Sequence, residues 1–255
     1  MLSKRLIACL DVRNGCVVKG VQFEGLRNAG DPAALARRYN LEGIDELVIL
    51  DVTATLESRQ ALADTIRAVS RELFIPLAVG GGIRSLDDAE AAIEAGADKV
   101  SVNSAALADP TLITRLAARY GSQAIVVAID AKRAERGFAV YSRSGSTAAD
   151  REAVEWAREA ERHGAGEILL TSIDRDGTRE GFDLELTRAV TDAVNVPVVA
   201  SGGVGTLQHL VEGIVEGGAD AVLAASIFHF REHTVGDAKA LLAAAGVTVR
   251  PFTAA

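Results

Sequence analysis

Residues 75–85 read IPLAVGGGIRS, and residues 196–206 read VPVVASGGVGT. Each is a short apolar run that breaks into glycines and then reaches Ser85 or Thr206, where a helix N-cap belongs. That is the outline of a buried parallel strand turning tightly into a helix. The neighbouring segments repeat as well. GADKVSVNSAA from Gly96 recurs as GADAVLAASIF from Gly218, and GIDELVILD from Gly43 pairs with GAGEILLTS from Gly164. ACLDV around Asp11 matches VAIDA around Asp130, and the offsets run only from 119 residues (11 to 130) to 122 (96 to 218). A chain built this way consists of two similar halves, so a functional element in one half predicts a counterpart in the other.

Working outward, Val-, Ile- and Leu-rich runs alternate with Ala-, Leu-, Glu- and Arg-rich segments of helical period. Strands are predicted at Arg5–Asp11, Glu46–Asp51, Pro76–Gly80, Lys99–Asn103, Ala124–Asp130, Glu167–Thr171, Pro197–Ser201 and Ala221–Ala224. Continuously apolar strands are covered on both faces, a pattern that an open doubly wound sheet and a closed barrel share. Four β/α units per half favour the barrel. The expected fold is an α/β (β/α)8 TIM barrel with a two-fold half-barrel repeat, one domain over residues 1–255 with halves at roughly 1–121 and 122–255. The chain's 255 residues, 49% hydrophobic, suffice for such a core. Long loops are expected at Arg13–Asp31, a possible lid, and at Ala131–Arg151.

The formal charge is −8, with 27 Lys and Arg scattered against 35 Asp and Glu, which opposes a nucleic-acid surface. Any anion site must be local. No run of about 18 apolar residues is present to cross a membrane. The opening MLSKRLIACLDV is too short in its apolar part for a secretory core, so a cytoplasmic protein is expected. Of the two cysteines, Cys9 sits in a strand pattern and is expected to be a buried thiol rather than a ligand or disulfide partner.

Asp11 and Asp130 end matching strands at the face where barrel active sites are built. Carboxylates set against low-dielectric walls have raised pKa values, so an opposed pair can supply a proton donor and an acceptor. The competing reading makes each a turn cap or an ion-pair partner of Lys19 or Lys132; symmetric placement favours function. The glycine clusters Gly80-Gly81-Gly82 and Gly202-Gly203, with Asn103-Ser104 and Ala225-Ser226 ending the next strands, offer one backbone phosphate cradle per half. Two cradles imply a substrate phosphorylated at both ends. The polar run from Thr171 to Thr178 lies on the same face. Asp174 and Asp176 do not complete a calcium loop, and His229 and His233 lack a third zinc ligand, so both histidines are expected at the surface or a helix end. At the opposite face, strand parity turns Arg5, Glu46, Lys99 and Glu167 toward the axis, where a stabilising ion-pair ring is the default reading.

ACLDV, VVAIDAKR, LLTSIDRDGT, AVGGGI, ASGGVG and AASIFHF, in this order and over essentially the whole chain, closely resemble the cyclase subunits of imidazole glycerol phosphate synthase. The resemblance implies an enzyme of histidine biosynthesis that uses ammonia to convert an open-chain aminoimidazole carboxamide ribonucleotide with two phosphates into imidazole glycerol phosphate and the carboxamide ribotide. It implies no metal and no organic cofactor. Asp11 and Asp130 match the acid/base pair, Lys19 a lid lysine, and Asp51, Asn103, Thr171, Asp176 and Ser201 residues that line the site. Gly82 and Ser104 match one phosphate region, and Gly177, Gly203, Ala225 and Ser226 the other. Arg5, Glu46, Lys99 and Glu167 match the gate of an ammonia passage, and Asp98 the contact with a glutaminase subunit in a heterodimer. Two alternatives stand beside this reading. One is the sister isomerase, which shares the repeat, the aspartates and the phosphate sites; the other is a non-catalytic phosphate-binding assembly subunit.

Overall fold

A computed structural model describes residues 2–21, 24–52, 58–142 and 145–251, without the side chains of 19–21, 24–28 and 58–60. Eight parallel strands form the barrel: β1 (Arg5–Arg13), β2 (Glu46–Asp51), β3 (Leu77–Gly80), β4 (Lys99–Val102), β5 (Ile125–Arg133), β6 (Glu167–Ser172), β7 (Val198–Ser201) and β8 (Ala221–Ala224). Each pairs with its successor, and β1 pairs with β8 from Arg5↔Ala221 to Ala8↔Ala224. The circle is therefore closed, as the repeat predicts. Helices α1 (Pro32–Leu41), α2 (Ser58–Ser70), α3 (Leu86–Ala95), α4 (Thr111–Tyr120), α5 (Ala153–Arg162), α6 (Leu184–Thr191), α7 (Leu207–Val215) and α8 (Val235–Ala244) follow the strands in turn. Among the described residues no helix is long and apolar enough to cross a membrane.

Period-two alternation divides each strand between two cores. On β1 and β2, Leu6, Ala8, Leu10, Leu47 and Ile49 join the large cluster beneath the helices, whereas Ile7, Cys9 and Val48 join a small cluster. That second cluster, completed by Ala78, Val126, Leu169, Val199, Ala221 and Leu223, fills the barrel interior. Burying one such Leu or Ile contributes roughly 1.5–3 kcal/mol, so a one-residue slip of any strand, which would exchange the two sets, is strongly opposed.

The predicted long loops are instead β-hairpins. β1 runs on to Arg13, turns through Asn14 (φ 50°) and Gly15 (φ 75°), and pairs antiparallel with Cys16–Val21, which pairs with Glu24–Gly30. Asn-Gly is the preferred pair for a two-residue turn with both φ angles positive. β5 likewise continues to Arg133 and pairs with Phe138–Ser142, which pairs with Thr147–Glu152. The repeat thus extends to a pair of hairpins above the barrel. The predicted cap at Ser85 is present, its hydroxyl accepting from the Asp88 amide at 3.1 Å, but Thr206 occupies its cap position without a side-chain cap bond.

At the N-terminal face, an aspartate just before a strand accepts an amide from the start of a neighbouring strand. Asp45 takes the Leu6 N–H at 2.9 Å, Asp98 that of Leu77 at 2.8 Å and Asp220 that of Val198 at 3.2 Å. Asp45 is buried, and its other oxygen accepts from Lys239 Nζ at 2.6 Å and Arg250 Nε at 2.8 Å. This ties α8 and the segment after it to the barrel floor. Burial pushes the Lys239 ammonium below its ordinary pKa, against the pull of Asp45. Asp45→Ala, which strands that buried cation, should cost about 3–5 kcal/mol in urea denaturation; a loss under about 1 kcal/mol, the size of an ordinary substitution, would contradict this role.

Candidate active site

At the C-terminal ends of the strands lies a cavity of about 960 Å³, and the sequence-predicted residues gather around it. Asp11 and Asp130 both line it. On one side stand Asp51, Gly82, Asn103 and Ser104; on the other Thr171, Asp176, Gly177, Ser201, Gly203, Ala225 and Ser226. Lys19 lies on the hairpin strand Cys16–Val21, with its side chain outside the described residues. Sequence reading missed Cys9, Ser101, Leu169 and Leu223, which line the floor, and Arg84 and Arg179 at the rim. Inward parity was the available signal for the first four.

The two glycine turns are built alike. Gly81 (φ 90°) backs onto the end of β2, where a Cβ would fall 2.2 Å from the Asp51 carbonyl oxygen; Gly202 (φ 94°) backs onto the end of β6, where a Cβ would fall 2.9 Å from that of Ser172. Only glycine satisfies both the positive φ and the close approach. Each turn leads into α3 or α7, and beside each a short helix begins, at Ser104 (Ser104–Ala108) and at Ser226 (Ser226–His229). His229 ends the second of these but is buried, contrary to a surface position, with its Nδ1 2.5 Å from the Tyr39 hydroxyl. Burial pushes that phenol up to about 12. In the run after β6, Asp176 and Gly177 face the cavity while Asp174 turns away to accept the Arg133 amide at 2.8 Å.

The aspartates break this symmetry. Asn103 Nδ2 donates to Asp130 Oδ2 at 2.9 Å, and Asn103 Oδ1 is buried without a hydrogen-bond partner among the described residues. The residue 122 positions on from Asn103 is Ala225, which offers Asp11 no such amide. Asp11 is 8% exposed, with the Cys9 thiol 3.7 Å from its Oδ1. Asp130 has its pKa raised to about 6, mainly because burial penalises the charge; Asn103 opposes the shift and the like charge of Asp176 adds to it. A carboxyl poised near neutrality can exchange protons with a reacting group at working pH.

Beneath the floor, the four inward charges at the strand starts form a closed ring of ion pairs. Arg5 Nη1 donates to Glu46 Oε2 at 2.6 Å and Arg5 Nη2 to Glu167 Oε1, while Lys99 Nζ donates to Glu46 Oε1 at 2.9 Å and Glu167 Oε2 at 2.8 Å. Burial works against the Arg5 charge, but Glu167 and Glu46 hold its pKa above the ordinary value.

A family model described as histidine biosynthesis protein matches residues 5–234. The chain belongs to this family. Its members are histidine-biosynthesis enzymes, an isomerase or a cyclase, and membership alone does not choose between the two. Both activities of the histidine biosynthesis family are compatible with two carboxyls over a shared cavity.

The raised pKa of Asp130 also ties stability to pH. Its folded value of about 6 lies above the ordinary 3.8, so the associated stability is complete below about pH 4 and is lost as pH rises through 6. Asp130→Asn removes that loss. In melting curves the variant should exceed the wild type by a few degrees at pH 7.5 and match it at pH 3.5; equal melting temperatures at both would mean that Asp130 is not perturbed.

Proposed function

We propose that this chain is the cyclase, which combines ammonia with the open-chain bisphosphate aminoimidazole carboxamide ribonucleotide to give imidazole glycerol phosphate and the carboxamide ribotide. The observation that carries the choice over the isomerase is the column under the cavity. Inward positions read Arg5, Ile7, Cys9, Asp11 along β1 and Glu167, Leu169, Thr171 along β6, so a charged ring opens onto an apolar core that ends at the aspartates. The packed apolar core is common to closed barrels, but an isomerase working on one bisphosphate has no use for the inward charged ring beneath it. Neutral ammonia suits the apolar layer chemically, because an apolar interior imposes a far smaller desolvation penalty on NH3 than on ammonium, and its passage requires the ion-pair ring and the packed side chains to part.

Two glycine-turn cradles on opposite rims suit the two phosphates, and an extended substrate between them crosses both aspartates. Ammonia arriving from below meets the substrate carbonyl between Asp11 and Asp130. Imine formation expels water, and the later steps break the C–N bond and close the imidazole ring, so protons must be given and taken in turn. Asp130, with its pKa near 6, is suited to donate to the departing group, and Asp11 across the cavity to accept. The Asn103 amide fixes the Asp130 carboxyl, and its Oδ1, which has no partner among the described residues, can accept from a substrate N–H or O–H.

Ammonia is expected from a separate glutaminase subunit docked around the ring. The N-terminal face offers exposed Asp98, Leu41 at 65% exposure and Phe74 at 92%, an apolar and acidic mixture suited to a protein partner. Asp98 also clasps the Leu77 amide, so a substitution there is read cleanly only if the isolated chain stays fully folded.

Purified chain given the open-chain bisphosphate and an ammonium salt at alkaline pH should form imidazole glycerol phosphate. No product there, with isomerisation of the closed precursor, would assign the chain to the isomerase. Asp11→Asn and Asp130→Asn should each reduce kcat by about 100-fold or more with KM little changed, since they remove proton transfer rather than anion recognition.

A further inference from the structure

The described residues around the cavity include five aspartates, Asp11, Asp51, Asp109, Asp130 and Asp176, against two cations, Arg84 and Arg179. A phosphate entering such a rim is repelled unless a cation stands beside it. Arg179 is two residues beyond Gly177, on the rim of the second cradle, and its setting is unusual in two ways.

First, its backbone is left-handed at φ 68°, a conformation that a residue with a long side chain adopts only when its surroundings impose it. The surroundings do so here: the Thr178 N–H and hydroxyl both bond the Arg175 carbonyl, at 3.0 and 2.8 Å, and the Gly181 N–H bonds the Gly203 carbonyl at 2.7 Å. The turn is thereby pinned onto the Gly202-Gly203 turn, and its side chain lines the cavity mouth.

Second, its guanidinium is parked on a carboxylate. Arg179 Nη1 donates to Glu232 Oε1 at 2.9 Å and Nη2 to Glu232 Oε2, with a weaker reach of Nη2 to the Gly205 carbonyl at 3.4 Å. Glu232 lies just past the short helix that starts at Ser226, its N–H on the Ile227 carbonyl at 3.0 Å. The pair therefore spans the loops after β6 and β8, the two walls of the cradle. Both side chains are substantially exposed, at 48% and 34%, and an ion pair so wet is held only weakly. A phosphate dianion seated on the neighbouring backbone amides offers the same fork two charged oxygens and more charge.

We propose that Arg179 is a ligand of the substrate phosphate in the second cradle, and that Glu232 is its competing counter-ion, holding the guanidinium at the mouth until phosphate displaces it. This rests on the bisphosphate reading of the site. The pair works as an exchange. The empty cradle keeps a neutralised rim, and the entering phosphate takes the cation from the carboxylate.

The test is binding of the open-chain bisphosphate to the full chain without ammonia, by isothermal titration calorimetry, in the wild type, Arg179→Ala and Glu232→Gln. Arg179→Ala should weaken binding roughly tenfold or more, the loss of a charge-assisted forked hydrogen bond. Glu232→Gln should tighten it severalfold, because the arginine no longer has a competing carboxylate. Unchanged affinity in Arg179→Ala would overturn the proposal. So would Glu232→Gln binding no more tightly than the wild type, which would make the pair a structural clamp between the two walls. Because binding is read without turnover, a wild type that binds but forms no imidazole glycerol phosphate would sink the cyclase reading alone. A wild type that does not bind would overturn both.

Discussion

Closing eight parallel strands into a ring sends every second side chain into an interior only wide enough to be filled, and the rest of this molecule follows from what occupies those positions. At the strand starts they are Arg5, Glu46, Lys99 and Glu167, paired into a ring. One step up they are apolar, from Ile7 and Val48 to Val126 and Leu169. At the strand ends they are Asp11, Asn103, Asp130 and Thr171. Charge, apolar plug and reactive carboxyl are thus stacked by backbone alternation alone. The apolar layer keeps the two polar layers from becoming one water-filled pore, and it supplies the low dielectric that raises the Asp130 pKa.

Repetition supplies pairs, and departures from repetition supply function. Two hairpins, two glycine turns and two short helices at Ser104 and Ser226 prepare the cavity for a ligand with similar ends. A strictly symmetric site would give both aspartates the same surroundings and leave neither suited to a separate proton-transfer role. Asn103 stands beside Asp130, whereas Ala225 holds the equivalent place in the other half.

Much of this was legible because it depends on short-range periodicity. Strand ends, inward parity, the glycine turns and both aspartates are encoded within a few residues of themselves, and the repeat supplies a second reading of each. The hairpins were less visible. Asn14-Gly15 carries a two-residue turn signal, and CVVKGV (16–21) and FAVYS (138–142) are apolar, but these runs are short and their partners EGLRNAG (24–30) and TAADRE (147–152) have the polar, glycine-bearing or mixed composition of loops. Contacts between distant segments were not visible at all: Asp45 with Lys239 and Arg250, Tyr39 with His229, and Arg179 with Glu232 join residues 53 to 205 positions apart. Those partners are set by how helices and loops seat on the closed barrel. The same holds for the Asp98 clasp, whose amide partner Leu77 begins the neighbouring strand.

The central physical claim is that burial in this cavity makes the Asp130 carboxyl abnormally basic. It is tested most directly by 13C NMR titration of aspartate carboxyl carbons in the intact chain, with Asp130→Asn used to assign the resonance. The account predicts that the resonance lost in the variant titrates near pH 6 in the wild type. If instead the resonance lost in Asp130→Asn titrates near the ordinary 3.8, the cavity does not tune its carboxyls in the way proposed here.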